Sequence, residues 1–336
     1  MKEPRFLPKE KKRIGLVAPS FGCTTEPYRT RLLKTVSIWR EEGYVVEEGK
    51  NIFLDKGICA SNTPYERAKE FLDLYRGDSD VLFSVGGGEL MCEILPYIDF
   101  QAIKDSPAKW FVGFSDNTNL TFTLTTLLDI VTIYGPCAGQ FFRFPYSDAQ
   151  KDTFRLLEGE KDFFGYPLWE KESLSDEEHP LADYNLTEKK VITPYGYDKP
   201  VEGILLGGCL DCLVTLCGTR FDGVRKFLER TKEGIVWFLE ACDLNPLAIR
   251  RALFQLREAG WFETAKAFLI GRPLCYDVSM MGVDRKNAVT GILGDLGVPI
   301  LLDVDLGHFP PSLPIKCGAK ARVALVEGNL EIHYLQ

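Results

Sequence analysis

Three short segments, far apart in the chain, each carry a residue type that serine-based acyl transfer uses: a nucleophile, an orienting acid and a base. They are Lys109-Trp-Phe-Val-Gly-Phe-Ser115-Asp-Asn-Thr-Asn119, Gly234-Ile-Val-Trp-Phe-Leu-Glu240-Ala241 and Leu306-Gly-His308-Phe-Pro-Pro311. The first reads as a buried strand, a tight turn and a helix, with Ser115 at the turn. Such a turn lifts a nucleophile clear of a sheet, with backbone N–H groups and a helix N-terminus to face a developing oxyanion. Glu240 ends an apolar strand, where packing gives a carboxylate no reason to be. His308 follows a glycine and precedes two prolines in a constrained loop. The order Ser…Glu…His is that of α/β-hydrolases, but Ser115 lacks their G-x-S-x-G, so order alone assigns no family.

Each residue also has a plainer reading. Ser115 could cap the following helix, and Asp116 is an equally good cap. A carboxylate at a strand end is often simply solvated. His308 is one of three histidines; His179 lies in a polar stretch and His333 near the C-terminus. Gly86-Gly87-Gly88 follows an apolar strand, yet fits neither the G-x-x-x-x-G-K-[ST] nor the G-x-G-x-x-G pattern. Its other use is to bring backbone N–H groups close to an oxyanion or a substrate carboxylate. Cys209-Leu-Asp-Cys212 has no second C-x-x-C and no nearby histidine, so it reads as thiols on a helix face rather than a zinc or redox site. Trp237, Phe238, Phe254 and Trp261 read as core. Trp169, Tyr195 and Tyr197 could line a substrate mouth or pack locally.

These residues need a scaffold, and the pattern describes one. Arg13–Pro19, Tyr44–Glu47, Val81–Val85, Trp110–Phe114 and Val131–Tyr134 read as strands. Between them, Pro27–Glu42, Pro64–Tyr75, Glu89–Leu95 and Thr118–Leu128 read as helices. Strands apolar on both faces, alternating with helices, predict a parallel sheet covered on both sides. Ligands of such sheets bind at strand carboxyl ends, where the glycine run and Ser115 both fall. From Ser147 to Pro200 the chain is rich in Asp, Glu, Lys, Tyr and Pro, and it reads as a connecting region with exposed loops. A second unit begins at Val201, with Gly207-Gly208 expected as a turn, a helix around Pro246–Ala259 and several further strands. The expected division is 1–165, a connector 166–200, and 201–336.

With 336 residues, 45% hydrophobic and 26% charged, the chain has the composition of a globular protein large enough for two domains. Forty Lys and Arg against 48 Asp and Glu give a net charge of -8, which argues against a nucleic-acid surface. Met1 to Lys12 is polar without an apolar signal core, and no stretch approaches a membrane span. The ten cysteines then read as reduced thiols of a cytosolic protein.

Several stretches carry a family resemblance: Ile14-Gly-Leu-Val-Ala-Pro-Ser20, Ser84-Val-Gly-Gly-Gly88, Gly113-Phe-Ser-Asp-Asn-Thr118, Tyr134-Gly-Pro136, Gly203-Ile-Leu-Leu-Gly-Gly208, Phe238-Leu-Glu240 and Gly307-His308 through Leu313-Pro-Ile315. In collinear order they resemble the LD-carboxypeptidase family of serine peptidases, which includes microcin C self-immunity hydrolases. The resemblance implies Ser115 as nucleophile, His308 as general base and acid, and Glu240 as the residue orienting the imidazole. Gly86, Gly87, Gly88 and Asp116 are the expected oxyanion and substrate-binding positions. It implies an N-terminal Rossmann-like or flavodoxin-like α/β domain, a C-terminal β-rich, barrel-like domain with helices, and a homodimer. The expected substrate is a small peptide or peptide conjugate cleaved beside a free carboxylate, such as the bond before the terminal D-alanine of murein tetrapeptide. No metal or organic cofactor is expected, and no nucleic-acid or membrane partner. The alternatives are an immunity-type hydrolase of aminoacyl or peptidyl nucleotide conjugates, and a ligand-binding module with a non-functional triad. Recycling members often carry Arg-Gly-Gly-Tyr-Gly where this chain has Val85-Gly-Gly-Gly-Glu89, which places it nearer the immunity-type branch. An acidic residue often follows the family's triad glutamate directly; Ala241-Cys242 stand here.

Overall fold

The computed structural model describes residues 1–335. Contacts divide the chain into two compact units. The first holds Met1–Glu160, Glu172–Asn185 and Pro314–Lys316; the second holds Lys161–Lys171, Leu186–Leu313 and the remainder from Cys317.

In the first unit the elements run β1 (Arg13–Val17), α1 (Tyr28–Glu41), β2 (Val45–Glu48), α2 (Pro64–Arg76), β3 (Val81–Ser84), α3 (Phe100–Asp105), β4 (Trp110–Gly113), α4 (Thr118–Leu128), β5 (Thr132–Tyr134) and α5 (Asp148–Leu157). The β3 and β4 side chains are buried throughout, as strands covered on both faces require. The start of α2 shows how local chemistry sets these limits. Pro64 occupies the first helical turn, and Thr63 Oγ1 accepts the Glu66 N–H at 3.4 Å. A cap of this kind stabilises a helix by about 1 kcal/mol. The helix then buries Ala68, Phe71, Leu74 and Tyr75, one face at helical spacing. Trp39, Phe83, Phe141 and Phe154 form an aromatic core with ring centroids 5.2 to 6.4 Å apart. The segment after Gly88 is a 3-10 helix at Met91–Tyr97 rather than the expected α-helix from Glu89; Pro96 lies inside it.

The second unit contains β6 (Asp162–Phe164), β7 (Leu168–Glu170), β8 (Leu186–Lys189), β9 (Thr193–Tyr195), β10 (Val201–Cys209), α6 (Leu210–Leu216), α7 (Val224–Arg230), β11 (Ile235–Glu240), α8 (Pro246–Glu258), β12 (Ala265–Gly271), α9 (Arg285–Leu293) and β13 (Ile300–Val304). The chain then contributes β14 (Ile315–Cys317), most of which belongs to the first unit, before β15 (Lys320–Val326) and β16 (Asn329–Tyr334) of the second.

Two main sheets result. The order β14-β5-β4-β3-β1-β2 makes a six-stranded sheet in which β1 to β5 pair in parallel. The order β6-β16-β15-β10-β11-β12-β13-β9 makes an eight-stranded mixed sheet with a parallel centre, β10 to β13. The fold is thus the expected parallel α/β unit and a strand-rich second unit, whose ladder is an open series. Gly207 and Gly208 lie within β10 instead of forming a turn. A Cβ at Gly207 would stand 1.8 Å from the Phe238 carbonyl oxygen, so the strand needs glycine there. Trp237, Phe238 and Trp261 are buried, but Phe254 is 55% exposed. On α8 the inward face is Ile249, Ala252, Leu253 and Leu256, and position 254 falls off it.

The connecting stretch is shared. Residues 172–185 pack on the first unit, where Arg31 donates to Ser175 Oγ and to the Pro180 carbonyl. Arg143 lies between the Phe142 and Tyr184 rings, 4.1 Å from each. Among the described residues no helix is long and apolar enough to cross a membrane.

Candidate active site

In the first unit, β4 ends at Gly113, Phe114 is extended, and Ser115 turns the chain with φ 62°. That left-handed conformation costs a non-glycine residue about 1–3 kcal/mol and must be held by its surroundings. Tyr134, at the end of the neighbouring β5, accepts the Ser115 N–H through its hydroxyl at 3.0 Å. Asn117 Nδ2 donates to the Phe114 carbonyl at 2.9 Å and to the Gly86 carbonyl at 3.0 Å, tying the turn to the glycine run. A Cβ at Gly113 would lie 2.7 Å from Asn117 Cγ, so glycine makes room for this brace. The 3-10 turn Ser115–Asn117 then runs directly into α4.

The glycine run sits against this turn. A Cβ on Gly87 would be 3.4 Å from Ser115 Cβ and 3.5 Å from its Oγ. A Cβ on Gly88 would strike Ser20 Oγ at 2.1 Å. The Asp116 carboxylate is buried and points into the unit. Ser20 Oγ donates to it at 2.5 Å, the Met91 N–H at 2.9 Å and Asn119 Nδ2 at 3.0 Å. Burial pushes its pKa up, while Ser20, the Met91 N–H, Arg67 and Asn119 act in the opposite direction. The side chain of Asp116 therefore braces the loop after β1, the segment after the glycine run and α4. Ser20, Asn117 and Tyr134 are positioning groups that sequence reasoning did not single out, although each lies within or beside a stretch carrying the family resemblance.

In the second unit, Glu240 closes β11 between the parallel strands β10 and β12. Its side chain is fully buried, and His308 Nδ1–H donates to Glu240 Oε2 at 2.9 Å. The approach depends on two glycines. A Cβ on Gly307, φ 106°, would come within 2.8 Å of Glu240 Oε2; one on Gly271 would lie 2.2 Å from the Leu306 carbonyl oxygen. The His308 loop is pinned from below by Asp305, whose carboxylate pairs with the buried Arg272 at 2.7 Å and accepts the Tyr166 N–H at 2.8 Å. Ser312 Oγ accepts the Gly307 N–H at 3.1 Å.

Electrostatically this pair favours a protonated ring. Burial disfavours the imidazolium, but the Glu240 carboxylate and the Cys242 thiol in contact with the ring outweigh it, and the His308 pKa lies well above the usual histidine value. The other two histidines make exposed pairs, His179 with Asp176 and His333 with Asp162. Only His308 meets a fully buried carboxylate.

The remaining sequence candidates separate cleanly. Cys209 and Cys212 flank the junction of β10 and α6 and are buried. Among the described residues no disulfide joins any of the ten cysteines, and no group of His, Cys, Asp and Glu could hold a metal ion. Trp169 is core, packed on Tyr276, Phe309 and Arg272. Tyr197 accepts the Leu325 N–H, and Tyr195 is half-exposed on β9. Trp169, buried in this way, is not a free face for a substrate ring.

Comparison with known proteins finds matches along both parts of the chain. Residues 14–135 match the model of the LD-carboxypeptidase N-terminal domain, and residues 202–323 that of the LD-carboxypeptidase C-terminal domain. The microcin C7 self-immunity protein MccF of Escherichia coli is 25% identical over 327 residues, covering 95% of this chain and 92% of that protein. A Bacillus subtilis (strain 168) protein named "Probable murein peptide carboxypeptidase" is 27% identical over 323 residues, covering 94% and 89%. Among solved structures, MccF in complex with glutamyl sulfamoyl guanosine superposes with a TM-score of 0.83 at 23% identity over 99% of both chains. An MccF-like protein from Bacillus anthracis str. Ames gives 0.83 at 19% identity over 100% of both. The structural matches establish the fold, and the two matched domain models establish the lineage: this chain belongs to the LD-carboxypeptidase family.

Proposed function

We propose that the chain is a serine peptidase that hydrolyses an amide bond beside a free carboxylate, with Ser115 as nucleophile, His308 as general base and acid, and Glu240 as the orienting carboxylate. The observation that carries this reading is the hydrogen bond between His308 Nδ1 and the fully buried Glu240. It fixes one ring nitrogen as a donor and leaves Nε2 as the basic atom, the division of labour a serine triad requires.

The chemistry follows. His308 Nε2 takes the Ser115 proton as Oγ attacks the scissile carbonyl. Backbone N–H groups at Gly87 and Asp116 receive the oxyanion; a glycine at 87 keeps the space beside Ser115 open. The tetrahedral intermediate collapses, His308 protonates the leaving amine, and an acyl-Ser115 ester remains. Water, deprotonated by His308, attacks that ester and releases the acid and the free serine. The glycine run Gly86 to Gly88 also receives the substrate carboxylate through its N–H donors. No step calls for a metal or an organic cofactor.

The murein reading is release of the terminal D-alanine from a tetrapeptide, within peptidoglycan recycling. It is supported by family membership and by the Bacillus subtilis relative. A second reading is hydrolysis of an aminoacyl nucleotide conjugate. It is supported by the similarity to MccF along 95% of this chain and by Val85-Gly-Gly-Gly-Glu89. Two solved MccF structures are complexes with glutamyl sulfamoyl guanosine and aspartyl sulfamoyl adenosine. Against it stands the burial of Trp169, which is packed in the core on Tyr276 and Phe309. The resemblance further supports a cytosolic homodimer.

Incubation with murein tetrapeptide and with an aminoacyl sulfamoyl-adenylate, read by mass spectrometry, separates the two. Loss of D-alanine with wild type alone, and none with Ser115→Ala, is the expected result. Cleavage of the adenylate alone moves the protein to the second reading, and turnover of either substrate by Ser115→Ala rejects Ser115 as nucleophile.

A further inference from the structure

We propose that Asp211 is a positioning residue for the Glu240–His308 pair. The inference rests on the triad reading above. Asp211 lies in the first turn of α6, two residues after Cys209, and Cys209 pairs in register with Glu240 across β10 and β11. Immediately after Glu240 the chain leaves the sheet through Ala241, Cys242 and Asp243 before Asn245 caps α8. The backbone N–H groups of Cys242 and Asp243 both donate to the Asp211 carboxylate, one to each oxygen, at 3.0 and 2.9 Å. The Cys209 thiol adds a third contact at 3.2 Å.

The consequence reaches the imidazole by a short path. Asp211 fixes the peptide units on either side of Cys242, and the Cys242 side chain touches the His308 ring. The ionisable groups bearing on His308 are Glu240 on β11 and Cys242 in this loop. Asp211 itself faces Cys209 and, more distantly, Cys275. The carboxylate comes from the neighbouring strand–helix junction, beside the strand that Glu240 ends. Two acceptors arranged for two parallel N–H donors are what a carboxylate offers and an amide does not. This also accounts for the Cys209-Leu-Asp-Cys212 motif: its working member is the aspartate.

The test compares Asp211→Asn and Asp211→Glu with wild type, with turnover counted per site titrated by a serine-directed fluorophosphonate. Asparagine leaves one oxygen and turns an NH2 toward the second N–H. The Asn variant is expected to lose kcat by up to about 10²-fold, the scale of a misplacement near 1 Å, with KM little changed. Its acid limb of kcat/KM moves to lower pH, because the imidazole loses part of its stabilising contact. Glutamate keeps both acceptors on a longer arm, so it shows the same changes more weakly and serves if the Asn protein does not fold. Wild-type kcat and an unmoved acid limb in both variants would overturn the proposal, as would a loss confined to the number of titratable sites. Ser115→Ala, with turnover counted per mole of protein, separates the two levels. If it is inactive and the Asp211 variants behave as wild type, only the Asp211 role fails; if it is active, the triad and the Asp211 role fail together.

Discussion

At Ser115 the unusual feature is the backbone; at Glu240 it is the side chain. The serine sits in a left-handed turn held by Tyr134, Asn117 and a buried aspartate that faces away from it. The glutamate sits on an ordinary central strand, and what is unusual is a fully buried carboxylate whose partner is an imidazole. Strain in the first region would relax if its braces were removed. Charge in the second would be left uncompensated if its partner were removed. The first region should therefore answer to changes of shape, the second to changes of charge and pH.

The largest effect belongs to the atom that reacts. Ser115→Ala should lower turnover by on the order of 10⁶, as loss of the nucleophile does in other triads. The change of charge comes next. Glu240→Gln keeps the shape and should cost on the order of 10⁴, by analogy with the neutralised triad aspartate of chymotrypsin-type enzymes. His308 must be neutral to accept a proton, so activity rises with pH through its pKa. Because Glu240 raises that pKa, the wild-type acid limb lies above the ordinary histidine value, and in Glu240→Gln it should fall back to lower pH. An unmoved limb would mean that Glu240 does not hold the proton on His308.

Shape changes at the serine turn are smaller and separable. Gly87→Ala places a methyl at ordinary contact distance from Ser115. It should leave thermal unfolding near wild type while lowering kcat/KM by about 10-fold, through crowding of the reacting geometry. Gly88→Ala collides with Ser20 Oγ and should cost about 1–3 kcal/mol of stability in denaturant unfolding. Asp116→Asn takes away the oxygen that accepts Asn119 Nδ2, and should destabilise by about 1–3 kcal/mol, the cost of an unmet buried donor. If Gly87→Ala unfolds the protein while Gly88→Ala does not, the description of the turn is wrong.

What the sequence made legible follows the same division. Continuous apolar runs marked β3, β4 and β11, and Thr63-Pro64 marked the start of α2, because these signals are local. Ser115, Glu240 and His308 stood out because each is a residue type that packing at its place does not call for. The inward turn of Asp116, the glycines inside β10 and the two N–H bonds of Asp211 were not legible. Each depends on a partner 20 or more residues away: Ser20 and Met91 for Asp116, Phe238 for Gly207, Cys242 and Asp243 for Asp211. Periodicity carries no information about such partners. The return of residues 172–185 to the first unit was hidden for the same reason, since Arg31 and Arg143, which hold it, lie some 40 to 150 positions earlier.

Treatment of the wild-type protein with a fluorophosphonate, followed by digestion and peptide mass spectrometry, tests the central claim most directly. The account predicts one adduct, on Ser115, formed in proportion to the loss of turnover and absent from Ser115→Ala. An adduct on another serine that tracks the loss of activity, or a fully modified Ser115 with turnover intact, would contradict it.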